Sequence, residues 1–478
     1  MKKYTWFLWL ALAVWLMPCQ AQELRLRKGV VLDSLPLLDS LPGRTALYLP
    51  MSFDPQASWP LLYVLGEEED VLQTLRYYSN VAEAQGYIVA ASDPQADSLN
   101  LTQQVIHVGR VLEQLAKMLP LDPQRVSISG FGTGGQLAAL IPSLLPRVKG
   151  VLALGAVPPE GGLTAAGRPA DFVGVMGRGD FGYSNMLFTE DQLERKKVPI
   201  FMLYHEGGHQ WPPEDMLGQG LQALDLLGVK SGRVRRDTAA IRAQYESYVN
   251  YVNGLRSRGE WILAYDQSEE GIRLFEGLHD TESLEGVRKA IRKASAYSAQ
   301  RRDANNFRYK EDVTREVLAY NLDEDLATFN LRNLGWWNHQ MEEFKQLRQS
   351  NRPEERLLGM RLEGYINALA DDYIRLERME KRPDYDALIL LYMLKTITDP
   401  DAPGNYLQVV SLTAKFDDFG TALFYLEELL KRGYKDRAAL YALDHTALLR
   451  ISPEFNALIA KYLGEARYDI PRQAPENR

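Results

Sequence analysis

Three short stretches of this 478-residue chain carry residue types that do chemistry. The first, Gly130-Phe131-Gly132-Thr133-Gly134-Gly135, is a glycine-rich turn. It is a poor nucleotide loop, because no Lys-Ser or Lys-Thr follows it and no acidic residue stands at the dinucleotide spacing. The second, His205-Glu206-Gly207-Gly208-His209, matches the zinc-protease pattern H-E-x-x-H. That chemistry needs both imidazoles on one helix face with the glutamate as base. Two glycines inside it cost about 2 kcal/mol of helix propensity. A strand candidate precedes the run and Trp211-Pro212-Pro213 follows it, so it reads as a loop that binds no metal. The third stretch, Met176-Gly177-Arg178-Gly179-Asp180-Phe181, sets a carboxylate just past a strand candidate. His107, His279, His339 and His445 stand alone in helical stretches and read as packing residues. No cofactor is expected.

The elements that must position these residues follow from hydrophobic patterning. Between 59 and 228, apolar runs at 60–65, 87–91, 125–129, 148–154, 171–176 and 198–204 alternate with helical patterns, among them 71–85, 101–119 and 136–145. Alternation of this kind predicts an α/β fold with a mostly parallel sheet, whose strands are apolar throughout because both faces are covered.

The strand at 125–129, the glycine turn and the helix after it resemble the nucleophile elbow, G-x-S-x-G, of the α/β-hydrolases. Residues 44–228 resemble the esterase and phospholipase/carboxylesterase branch of that superfamily. The resemblance places the nucleophile at Gly132, the acid at Asp180 and the histidine at His209, within Gly-Gly-His-Gln-Trp-Pro, in the family's order. Serine is missing: glycine cannot attack a carbonyl, which leaves an Asp–His pair with no hydroxyl to deprotonate. The backbone N–H of Thr133 is a candidate oxyanion donor. The second donor is expected from the loop at Gly66, but Gly66-Glu67-Glu68-Glu69-Asp70 lacks the His-Gly run common there. Its acids suit the first turn of a following helix better than an oxyanion site. Thr133 lies one residue late to replace the serine, and Ser127 and Ser129 lie in a strand expected to be buried.

From 233 to 463 almost no strand pattern occurs, and helical patterns are broken by Pro353, Pro383, Pro400, Pro403 and Pro453. Residues 403–436 resemble a tetratricopeptide repeat. Tyr406, Val409, Val410 and Thr413 fit its first helix, and Ala422 and Leu426 the second. Ala387 and Leu391 repeat the second-helix pair, and 433–455 resembles a terminal unit. Such helix pairs bury their apolar faces only by stacking; the region is expected to be either a helical bundle packed on the hydrolase-like domain or an array with a concave surface for a protein or peptide partner. Trp336-Trp337 suits such a surface if exposed, and a core if buried; Trp211 is a further binding candidate.

The expected organisation is a signal peptide at 1–21, a hydrolase-like domain at 22–229 and a helical domain at 230–478. Lys2 and Lys3 precede an apolar run at 6–17, with small residues around Ala21 for cleavage. A lipoprotein tethered at Cys19 is the rival, weakened by Pro18 where a small residue is wanted. Cys19 is the sole cysteine, so cleavage at Ala21 leaves neither disulfides nor thiolate metal ligands. A net charge of -8 without a basic block argues against nucleic acid, and no later segment is apolar enough to span a membrane. The expected protein is exported and catalytically degenerate, with partner binding through its helices and room for a small ligand in the hydrolase pocket. The alternatives are a working esterase or peptidase with a non-standard nucleophile, and a helical half that carries the whole function.

Overall fold

The computed structural model describes residues 27–33, 35, 45–66, 71–92, 100–163 and 169–468. The expected signal peptide, Cys19, the acidic stretch 67–70 and the tail 471–478 lie outside them. Two compact units divide at Ile128 and Ser129.

The first unit holds β1 (Val31–Leu32), β2 (Thr45–Tyr48), β3 (Trp59–Leu65), α1 (Val71–Gln85), β4 (Ile88–Ser92) and α2 (Leu101–Met118). β3 pairs parallel with β4, with Leu61 opposite Ile88, and both are buried almost throughout, as their unbroken apolar content requires. β1 and β2, which pair antiparallel, escaped the sequence pattern because they are two and four residues long. α2 starts on a capping box: Asn100 accepts from the Gln103 N–H, and the Gln103 side chain accepts from Asn100. Its buried face is Val105, Val108, Val111, Leu112 and Leu115, at helical spacing. His107 is packed as expected, yet both its ring nitrogens lack a partner, and burial pushes its pKa down.

β5 (Leu121–Phe131) runs through the division and leads directly into α3 (Gly132–Leu144). Then follow β6 (Gly150–Leu154), β7 (Asp171–Gly177), α4 (Tyr183–Arg195), β8 (Ile200–His205) and α5 (Glu214–Lys230). β6, β7 and β8 are parallel neighbours, with Gly150 opposite Asp171 and Phe172 opposite Ile200. The strands form one mostly parallel sheet in the order β1-β2-β4-β3-β5-β6-β7-β8.

Beyond α5 the described chain is helical: α6 (Thr238–Ser257), α7 (Trp261–Phe275), α8 (Glu282–Lys293), α9 (Ser295–Thr328), α10 (Leu334–Arg348), α11 (Pro353–Met379), α12 (Tyr385–Thr398), α13 (Pro403–Lys415), α14 (Phe419–Lys431), α15 (Arg437–Ala442), α16 (Ala447–Arg450) and α17 (Pro453–Leu463). Pro353, Pro403 and Pro453 each open a helix, where a missing N–H costs nothing. α7 also covers the sheet edge. Glu270 accepts from the Met202 N–H at 3.0 Å, and Gln267 donates to the Met202 carbonyl at 3.1 Å. Two buried side chains thus satisfy edge-strand groups that would otherwise be an open template for pairing.

Trp337 is 1% exposed and donates its indole N–H to Asp325 at 2.8 Å. Trp336 packs partly buried against the same core. Burial therefore removes Trp337 from any binding surface and assigns it to the core. Tyr406, Val410, Ala422 and Leu426 share a second core with Leu449 and Phe455, from the stretch expected to end the helical region. Two histidines depart from expectation. His339 is exposed beside Glu343, and His445 is an exposed loop residue at φ 61°, so neither packs in a core.

Candidate functional site

The site lies within the second unit, where β5, β7 and β8 end. β5 passes into α3 with Gly132 at φ 52°, the left-handed backbone of a strained strand-to-helix turn. The turn is tight. A Cβ at Gly135 would lie 2.6 Å from the Ala156 Cβ and 2.8 Å from the Gly130 carbonyl oxygen. Gly135 is therefore fixed by packing, and Gly132 by its left-handed backbone.

Glycine also brings the acid and histidine loops together. The Gly179 N–H donates to the Gly207 carbonyl at 2.8 Å, and the Arg178 N–H to the His205 carbonyl at 2.6 Å. A Cβ on Gly177 would collide with the Gly207 carbonyl. The result is the expected pair: His209 Nδ1 lies 2.7 Å from Asp180 Oδ2. The Gly182 N–H donates to Asp180 Oδ1, also at 2.7 Å, so both carboxylate oxygens are engaged. Asp180 is 1% exposed, whereas the His209 side chain keeps 31% of its surface open. A carboxylate only accepts, so His209 carries its proton on Nδ1 and presents a bare Nε2.

The imidazole is held between Phe131 and Phe181, each with its ring centroid 4.7 Å away. Phe131 directly precedes Gly132, so the histidine stands against the elbow. Trp211 stacks on Phe131, with ring centroids 5.1 Å apart. Among the described residues, no hydroxyl meets Nε2 of His209. Ser129 is fully buried and donates to the Leu152 carbonyl at 2.7 Å, and Thr133 is exposed on α3. Gly66 is buried at the end of β3.

Sequence reasoning missed what holds the acid loop. Arg178 is 2% exposed and pairs with Glu206 at 2.7 Å and, through two bonds of 3.0 and 2.9 Å, with Glu354 of α11. Burial disfavours its charge, but Tyr183, Glu206 and Glu354 more than compensate and raise its pKa well above the ordinary arginine value. Arg361 donates to the Arg178 carbonyl at 2.9 Å, and Arg315 to the Phe181 carbonyl at 2.6 Å. Glu311, wholly buried, accepts from both of these arginines at 2.6 Å. Two carbonyls flanking Asp180 are thus tied to the helices by charge-assisted bonds. The only sequence signal was a lone arginine beside Asp180.

His205 ends β8, and its Nδ1 accepts the Gly207 N–H at 3.0 Å. His209 lies in the loop beyond it, so the two imidazoles of the H-E-x-x-H run do not share a helix face. Glu190, Glu194 and Glu270 also converge, but Arg273 pairs with all three and supplies the positive charge there.

The chain is similar to solved structures of esterases and other serine hydrolases. Three such structures are S-formylglutathione hydrolase of Staphylococcus aureus (14% identity, 41% of this chain and 97% of the other, TM-score 0.34), esterase B of Lactobacillus rhamnosus (14%, 43% and 89%, 0.37) and esterase 2 of Thermogutta terrifontis (13%, 43% and 96%, 0.35). No protein-family model and no curated protein sequence matches the chain. At these values the likeness concerns the arrangement of strands and helices alone.

Proposed function

We propose that this protein is an α/β-hydrolase-like module that has lost its nucleophile and serves in binding or scaffolding outside the cytoplasm. The observation that carries this reading is His209 Nε2, oriented by Asp180 and set against an elbow whose residue is Gly132. An imidazole with no hydroxyl beside it has no side-chain nucleophile to activate, and losing a nucleophile that acts as a unit with its base costs on the order of 10⁶ in rate. On this reading the helical region beyond 230 is a tetratricopeptide-like array for a protein or peptide partner, and a small ligand would bind at the hydrolase-like site. Export follows from Lys2, Lys3 and the apolar run at 6–17. A working esterase or peptidase needs another nucleophile, and Ser129 is committed to Leu152.

A fluorophosphonate probe tests this directly. The wild-type protein should remain unlabelled and Gly132→Ser should react. Labelling of the wild type would overturn the reading.

A further inference from the structure

A cavity of about 360 Å³ lies among α4, α7, α9 and α11, lined by neither Gly132, Asp180 nor His209. That volume falls in the usual range of small-molecule sites. Its walls are polar and aromatic. Tyr265 of α7 stacks on Tyr297 of α9 at 4.9 Å, and Tyr183 and Tyr204 contribute their rings from α4 and β8.

Most of the charge in the lining is paired within the protein. Arg178 is held by Glu206 and Glu354, Arg361 by Glu311, and Arg273 by Glu190, Glu194 and Glu270. Glu269 accepts from the Tyr265 hydroxyl, and Arg301 donates to that of Tyr297. Asp266 of α7 and Arg308 of α9 are left: neither has a hydrogen bond or ion pair among the described residues. Both line the same cavity as Tyr183. Arg178 and Arg273, which also line it, each keep a buried Nε–H without a partner. These two donors are buried and unmet, which is costly and a mark of a ligand site; Arg308 is exposed and brings an unpaired charge to the same lining. Asp266 agrees with this. Burial, with Glu190 and Glu269 nearby, pushes its carboxyl up to about 7 against the opposing effect of Arg178 and Arg301.

We propose that this cavity binds a small zwitterion of the amino-acid type, its ammonium group on Asp266 and its carboxylate on Arg308. A lone anion gives Asp266 no counter-charge, and a lone cation gives Arg308 none. A molecule carrying both signs satisfies both, with the tyrosines against its side chain.

The test is calorimetric titration of the full chain with each proteinogenic free L-amino acid at millimolar concentration, then with the N-acetyl and amide forms of the best binder. At least one free amino acid should bind with unit stoichiometry. Blocking either end should weaken binding about tenfold or more, as should Asp266→Asn and Arg308→Gln. Arg308 is exposed, so its variant keeps the fold. Absence of binding by every free amino acid overturns the proposal. So does equal affinity for the blocked forms, or an unchanged affinity in Arg308→Gln.

Discussion

Arg178 and Glu354, 176 residues apart in the chain, are joined by two hydrogen bonds of 3.0 and 2.9 Å, and both side chains are buried. Through this pair a helix far along the sequence fixes the loop that carries Asp180. Removing one partner of a buried pair leaves the other charge uncompensated. Glu354→Ala should lower stability by about 3 kcal/mol, the low end for such a loss because Glu206 still contacts Arg178. Chemical denaturation checks this, and a change under about 0.5 kcal/mol, the size of an ordinary surface substitution, would show that the strap is dispensable.

Gly132→Ser places a side chain on left-handed backbone. The expected cost is about 1–2 kcal/mol of stability, read as a fall in melting temperature. On the proposed reading, in which the imidazole is the base, labelling of this variant by fluorophosphonate should disappear in Gly132→Ser/His209→Ala. Equal labelling of both variants would mean that the Asp180–His209 pair plays no part.

Asp266 gives a pH signature. Its carboxyl moves from 3.8 to about 7 on folding, so between these values the folded protein holds a proton that the unfolded chain has released. Stability therefore falls as pH rises across that window and stays reduced above it. Asp266→Asn should stabilise the protein by roughly 2–4 kcal/mol at about pH 8 and change little near about pH 4. Melting curves at the two pH values decide it; a larger gain in acid than in base would reverse the sign.

Gln267 serves the sheet edge. Gln267→Met keeps the volume but orphans the Met202 carbonyl, at an expected cost of about 1–3 kcal/mol. Hydrogen exchange along β8 should quicken in step. Unchanged stability and exchange would mean that the edge needs no cover.

Much of the site was readable from the chain because it is local. Arg125 to Gly135 spells a strand, a turn and a helix, and β5 and α3 follow it, although α3 begins at Gly132 rather than 136. Asp180 and His209 were legible because each follows a strand end, marked by glycines that permit close backbone approach. β1 and β2 were not, being too short for a period to register.

The amino-acid order alone determined the alternation of strands and helices, the change to helices beyond 233, and the absence of a hydroxyl at residue 132. Each is a property of neighbours along the chain: periodicity, turn residues, or the identity of one side chain. Tertiary structure decided the rest. It buried Trp337, sent Glu270 and Gln267 to the edge of β8, and set Glu354, Arg361 and Arg315 around the acid loop. Which distant charges meet depends on which helix faces pack together, and spacing along a sequence holds no record of that.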